Sequence, residues 1–201
     1  MQKKAIDYLS KKNVIFKKIL DDYGMPTIPK RTQGFETLSF LILEQQVSIN
    51  SARATYNKLK NRVERFLPEN LINLQDITFR ECGVSHQKTK YIKCLAKAIL
   101  EKSIDLESLP NKSPDVVRQE LIRIKGIGNW TIDVYLMFAL ETPDIIPLGD
   151  IAVVNTIKEL FNIHDKKIME DFTENWKPYR SMATFLLWHY YLGKRNRKVE
   201  Y

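Results

Sequence analysis

The chain has 201 residues, enough for one domain or two small lobes with a real core. Lysine and arginine total 32 against 24 aspartate and glutamate, a formal net charge of +8, which weakly favours a polyanionic partner. The two cysteines, Cys82 and Cys94, are too few for a four-thiolate zinc or iron–sulfur centre, and no apolar run approaches the roughly 20 residues of a membrane span.

Met1-Gln2-Lys3-Lys4 is not followed by a signal-peptide core, and cysteine usage suits a reduced compartment. The expected location is therefore cytoplasmic and nucleoid-associated, or nuclear in a eukaryote. Along the chain, Asn13 reads as the N-cap of a helix carrying Phe16, Ile19 and Leu20, which Gly24 ends. Pro26 and Pro29 mark a loop. Phe35, Leu38 and Ile42 line one face of a second helix, and Ala52, Tyr56 and Leu59 line a third. A short segment begins near Asp76 and closes at Gly83; Tyr91, Leu95 and Ile99 then form another stripe.

Ser113-Pro114-Asp115 is a strong helix start: a capping hydroxyl, proline in the first turn, and an acid near the positive dipole end. Val117, Leu121 and Ile124 carry that helix into two glycines, Gly126 and Gly128. After them Trp130, Val134 and Met137 face one way until Pro143. Asp150 opens a helix with Val153, Val154, Ile157 and Leu160, and a last helix after Pro178 carries Ala183, Leu186, Leu187 and Tyr190. With no alternating strand pattern, repeat or linker, the fold class is all-α.

The run Ile124-Lys125-Gly126-Ile127-Gly128-Asn129-Trp130-Thr131 between two amphipathic helices reads as a tight helix–hairpin–helix. Free backbone N–H groups of Gly126 and Gly128 at the next helix start make a phosphate site, aided by the helix dipole. A carboxylate further on, Asp150, suggests chemistry on a nucleic acid as well as binding. On its own, an aspartate there is most often a plain N-cap. His86, His164 and His189 have no metal-ligand spacing.

Several blocks occur in a telling order. They are Phe35 through Leu43-Glu44-Gln45-Gln46-Val47-Ser48; Gly83-Val84-Ser85 with Lys88 and Tyr91-Ile92; the hairpin; Pro143-Asp144, Pro147 and Gly149-Asp150; and Trp176-Lys177-Pro178-Tyr179-Arg180-Ser181 with Leu187-Trp188. In these the chain resembles the helix–hairpin–helix (HhH-GPD) DNA glycosylase superfamily, and within it the 3-methyladenine DNA glycosylase II family. The resemblance implies a two-lobed, all-α unit over 1–201 without the N-terminal β domain of some members. One lobe would span 35–125, the other 1–34 plus 126–201, with the hairpin at 114–141 and a flipped base held between the lobes above Asp150.

The resemblance assigns Asp150 the catalytic role: a fixed anion stabilises the positive charge that builds on the sugar as the N-glycosidic bond breaks, and orients the attacking water. Trp130 stands where relatives with lyase activity carry a lysine, so no Schiff base forms and the abasic strand stays intact. Trp130 and Trp188 would line the base pocket, since indole faces suit a cationic alkylpurine. Gln45, Val134 and Ile151 would complete it; in relatives the last two positions often hold tyrosine. Gln46 matches the wedge that fills the gap left by the flipped nucleotide. Gly126, Ile127, Gly128 and Thr131 would grip phosphate, and a monovalent Na+ or K+ on the carbonyls of Ile122, Ile124 and Ile127 would be the sole bound ion, with no other cofactor.

The expected activity is a monofunctional glycosylase that removes 3-methyladenine and 7-methylguanine from duplex DNA for base excision repair, acting as a monomer. Two alternatives stand beside it: a non-catalytic protein that binds alkylated DNA, and a glycosylase for hypoxanthine or uracil. The basic tail Lys194-Arg195-Asn196-Arg197-Lys198 reads as a solvated end that adds salt-sensitive affinity.

Overall fold

The structure, a computed structural model, describes residues 2–196. Among them are twelve α-helices, two short 3-10 turns and no strand. Capping and stripe positions explain most of the helices. Asn13 accepts from the Ile15 N–H to start α2 (Val14–Tyr23), and the N–H of Gly24 closes it on Leu20 O. Ser85 and Ser113 cap α7 (His86–Leu100) and α8 (Pro114–Leu121) in the same way.

Three helices escaped the sequence reading. The helix α1 (Gln2–Lys12) buries only Ala5, Ile6 and Leu9 among lysines. The helix α5 (Pro68–Asn73) is six residues long, and α11 (Lys166–Thr173) buries only Met169 and Thr173. Each offers too few apolar positions for a periodic signal. Ile124 is not helical as expected: α8 ends at Leu121, and the Ile124 N–H turns back to Leu121 O.

The chain forms two compact units, residues 31–140 and residues 1–30 with 141–201. The expected boundaries at 35 and 125 are thus displaced, because residues 31–34 and 126–140 belong to the first unit. Arg31 donates its N–H to Phe138 O and pairs with Glu44, and the Gly34 N–H reaches the Tyr135 hydroxyl at 3.0 Å. Those bonds fasten both margins to the helices of that unit.

In the 31–140 unit, α3 (Phe35–Glu44) is the central element and is buried along nearly its whole length. It packs on α4 (Ile49–Lys60), α7 and α9 (Asn129–Phe138), with Leu38, Leu41, Ile92, Leu95, Ile132 and Tyr135 fully buried. A helix buried on nearly every face, with Thr37, Ser39 and Glu44 enclosed beside its apolar side chains, is the one expected at the middle of a bundle. The short α6 (Asp76–Glu81) lies against α7.

The other unit gathers α1, α2, α10 (Ile151–Phe161), α11 and α12 (Arg180–Gly193) around Leu9, Phe16, Ile157, Trp176, Ala183 and Leu187. Its aromatic centre is a cluster in which Phe16, Phe161 and Phe172 all lie within 5.5 Å of the Trp176 ring, centroid to centroid. Among the described residues no helix is long and apolar enough to cross a membrane.

Candidate active-site residues

In the 31–140 unit the hairpin joins α8 to α9. Gly126 has φ +96°, and the Tyr91 ring lies so near that a Cβ there would sit 2.1 Å from Tyr91 Cγ. Only glycine fits. The N–H groups of Gly126 and Gly128 meet no acceptor among the described residues, as a phosphate cradle requires. Gly128 starts α9 without a side-chain cap, leaving the first turn to an outside acceptor.

Two hairpin expectations are corrected. The Ile127 N–H donates to Ile124 O at 3.0 Å, so it is committed inside the turn. Thr131 is 1% exposed and its hydroxyl accepts from Gln45 at 3.0 Å, so its side chain faces inward, away from any phosphate. The two helices are locked by Arg118, which donates to Asn129 Oδ1 at 3.2 Å and to Asp133. Burial pushes the Asp133 carboxyl up, against the pull of the Arg118 hydrogen bond and charge.

The turn after α3 is seated as firmly. Glu44 is held by both Arg31 nitrogens at 2.8 Å, and the Arg31 guanidinium lies 5.0 Å from the Phe40 ring and 5.2 Å from that of Phe138. Lys88 Nζ donates to Leu43 O at 2.8 Å, and burial holds its ammonium below the ordinary lysine range. Gln46 follows in a left-handed conformation, φ 58°, with its side chain exposed beside Val47. A left-handed backbone at a residue other than glycine is strained.

Gln45 does not have its expected role. Both of its amide hydrogens are used inside the unit, on Gly126 O at 2.9 Å and Thr131 Oγ1 at 3.0 Å. It ties the turn to the hairpin instead of offering an amide N–H to a base. Val134 is 3% exposed and serves the core, while Trp130 is half-buried on the first turn of α9.

In the other unit Asp150 caps α10. Its Oδ1 accepts from the Ala152 N–H at 2.9 Å, the Val153 N–H at 3.0 Å and the Trp188 Nε1–H at 3.2 Å. Ile151 beside it is 74% exposed, an open position for an apolar side chain to meet a ligand. The loop that delivers Asp150 is bolted to α12. Arg180 grips Asp144 through Nε at 2.8 Å and Nη2 at 2.9 Å, and Ser181 donates to Thr142 O while accepting the Ile145 N–H.

Residues 40–178 match the model of the HhH-GPD superfamily base excision DNA repair proteins. The chain belongs to that superfamily. Among similar HhH-GPD proteins, the alkylbase DNA glycosidase-like protein mag2 of Schizosaccharomyces pombe is 31% identical over 82% of this chain and 80% of its own length. The YfjP protein of Bacillus subtilis is 35% identical over 60% of this chain, a match that spans only 43% of YfjP. The structure of the S. pombe 3-methyladenine DNA glycosylase Mag1 in complex with abasic DNA superposes with a TM-score of 0.85, at 25% identity, over 96% of this chain and 97% of that one.

The carbonyl oxygens expected to hold a cation suit one. Those of Ile122 and Ile127 accept no hydrogen bond among the described residues, and that of Ile124 accepts one, from Ile127. Neutral hard oxygens without a carboxylate favour Na+ or K+ over a divalent ion. In the tail, Lys194 pairs with Glu159 and Arg195 lies 3.7 Å over the Tyr191 ring; Arg197 and Lys198 fall outside the described residues.

Sequence reasoning missed the ion pairs Arg31–Glu44, Arg118–Asp133 and Arg180–Asp144. For the first two a signal existed. Glu44 and Asp133 each sit in an apolar helical run, and a buried acid demands a partner.

Proposed function

We propose that this protein is a monofunctional DNA glycosylase that hydrolyses the N-glycosidic bond of alkylated purines, 3-methyladenine and 7-methylguanine, in duplex DNA. The observation that carries the reading is Asp150, a carboxylate fixed by two backbone N–H groups and an indole at the start of α10. Membership of a base excision repair superfamily and likeness to a 3-methyladenine DNA glycosylase bound to abasic DNA support the substrate class.

In this reading the Gly126 and Gly128 N–H groups take a phosphate, and Gln46 enters the duplex as the lesion nucleotide leaves it. A monovalent cation on the Ile122, Ile124 and Ile127 carbonyls would add positive charge beside that phosphate. Trp130 offers an indole face to the cationic base, a contact worth about 0.5–2 kcal/mol. A purine methylated at N3 or N7 already carries positive charge and departs without a general acid. As the C1′–N bond breaks, the Asp150 carboxylate stabilises the sugar cation and directs water onto C1′. With tryptophan at 130 there is no amine to form a Schiff base, so the product is an intact strand with an abasic site.

The test is to incubate the protein with duplex DNA treated with a methylating agent. Released bases are identified by chromatography, and strand breaks are counted before and after alkali. Free methylpurines with breaks only after alkali are expected. Nicking without alkali would contradict the monofunctional reading, and no base release would contradict the glycosylase itself.

A further inference from the structure

We propose that Trp188 is a positioning residue for Asp150, acting through the N–H edge of its indole as well as through its ring. The inference rests on the glycosylase reading above and adds a residue to the control of its carboxylate. An aspartate that caps a helix is held by amides of its own first turn, here Ala152 and Val153. Those two donors come from one side and from the helix that Asp150 itself begins. The Trp188 Nε1–H arrives from α12, a different helix, and meets the same oxygen, Oδ1, at 3.2 Å. Three donors on one oxygen fix the plane of the carboxylate, and with it the direction in which Oδ2 faces.

The frame behind this contact is rigid. Trp188 is half-buried against the core of its unit, its ring 6.0 Å from that of Phe185. The helix that carries it also holds the Asp150 loop: Arg180 clamps Asp144, and Ser181 takes the Ile145 N–H at 3.0 Å. Donor and acceptor therefore ride on one support. In addition, α10 and α12 pack directly against each other. Charge that appears at C1′ only in the transition state is stabilised best by an anion that does not have to reorganise. A contact of this kind acts on the chemical step and leaves DNA affinity alone.

The experiment uses the full chain and a duplex bearing one 7-methylguanine. Single-turnover base release and DNA affinity are measured for the wild type, Trp188→Phe and Trp188→His, each also in an Asp150→Asn background. Trp188→Phe keeps a ring and loses the N–H. It is expected to slow release about tenfold, with DNA affinity within about twofold of wild type. Trp188→His, which retains a ring N–H, recovers part of that loss. In the Asp150→Asn background, Trp188→Phe costs nothing further, because the negative charge it positions is gone. Wild-type release by Trp188→Phe, or an equal loss in both backgrounds, overturns the proposal and makes Trp188 a packing residue.

An independent reading is the indole N–H resonance of Trp188, assigned by its disappearance in Trp188→Phe. It should move on Asp150→Asn; a resonance that stays put overturns the contact itself. A wild-type protein that releases no base refutes the glycosylase reading, and the resonance then still decides whether the indole holds the carboxylate.

Discussion

Replacing Gly126 by alanine tests the hairpin geometry most sharply. The residue lies at φ +96°, where an L side chain costs about 1–2 kcal/mol. The new Cβ would stand 2.1 Å from Tyr91 Cγ, 2.5 Å from its Cβ and 2.6 Å from Cδ1. Atoms that close to the root of the side chain cannot be relieved by a small rotation, so the Tyr91 ring or the turn must move, at about 1–3 kcal/mol. The sum is about 2–5 kcal/mol. For a chain of this size that corresponds to a drop in melting temperature of about 4–20 °C. Gly128→Ala is the control: φ is −105° and its Cβ meets nothing within 4 Å, so stability should hold while DNA affinity falls, because a methyl group enters the face offered to phosphate. In the Tyr91→Ala background the cost of Gly126→Ala should shrink by the share of the ring, while the Cβ that alanine keeps still stands 2.5 Å away. Calorimetric melting of the set decides the matter. A Gly126→Ala protein that melts with the wild type, or that loses as much with Tyr91 already removed, refutes the close-approach argument.

Arg31→Ala leaves Glu44, whose side chain is 6% exposed, charged and unpaired. The loss should be about 3–5 kcal/mol by urea unfolding, largely recovered in the Arg31→Met/Glu44→Met double variant. Gln46→Gly relieves the left-handed strain at φ 58° and should raise stability by up to about 1 kcal/mol while slowing lesion capture, read by fluorescence of 2-aminopurine beside the lesion. Burial tends to raise Glu36, but hydrogen bonds from Lys60 and Tyr56, with the Lys60 charge, hold it below the ordinary carboxylate range. A lowered folded value means that its stabilisation is present at neutral pH and lost as pH falls through the acid range. The stability difference between wild type and Glu36→Gln should therefore narrow on acidification, as followed by melting at stepped pH.

Helix caps and stripes were legible because they are local: Asn13, Ser113 and Asp150 announce helix starts within three residues of what they bond. Contacts between distant segments were not. Nothing near Gln45 in sequence points to Gly126 and Thr131, so an amide in an apolar run read as waiting for a base when it was tying two turns together. The same holds for Trp188, legible as an aromatic on a helix face but not as a donor to Asp150. The boundary between the units moved for a related reason. Residues 31–34 look like loop, yet the backbone N–H groups of Arg31 and Gly34 bond to Phe138 and Tyr135, far along the chain, and draw the segment into that unit. Gly126 and Gly128 together announced the hairpin, but the Tyr91 ring against Gly126 lies 35 residues away and had no local signal.

In the proposed function the Asp150 carboxylate drives base release. Asn at a helix start caps as well as Asp, so Asp150→Asn keeps the α10 cap and removes only the charge. The deciding measurement is the single-turnover release of 7-methylguanine from duplex DNA by the two proteins at matched DNA occupancy. Release by the variant should be slower by at least about a hundredfold, with lesion binding retained. Equal rates would contradict that role.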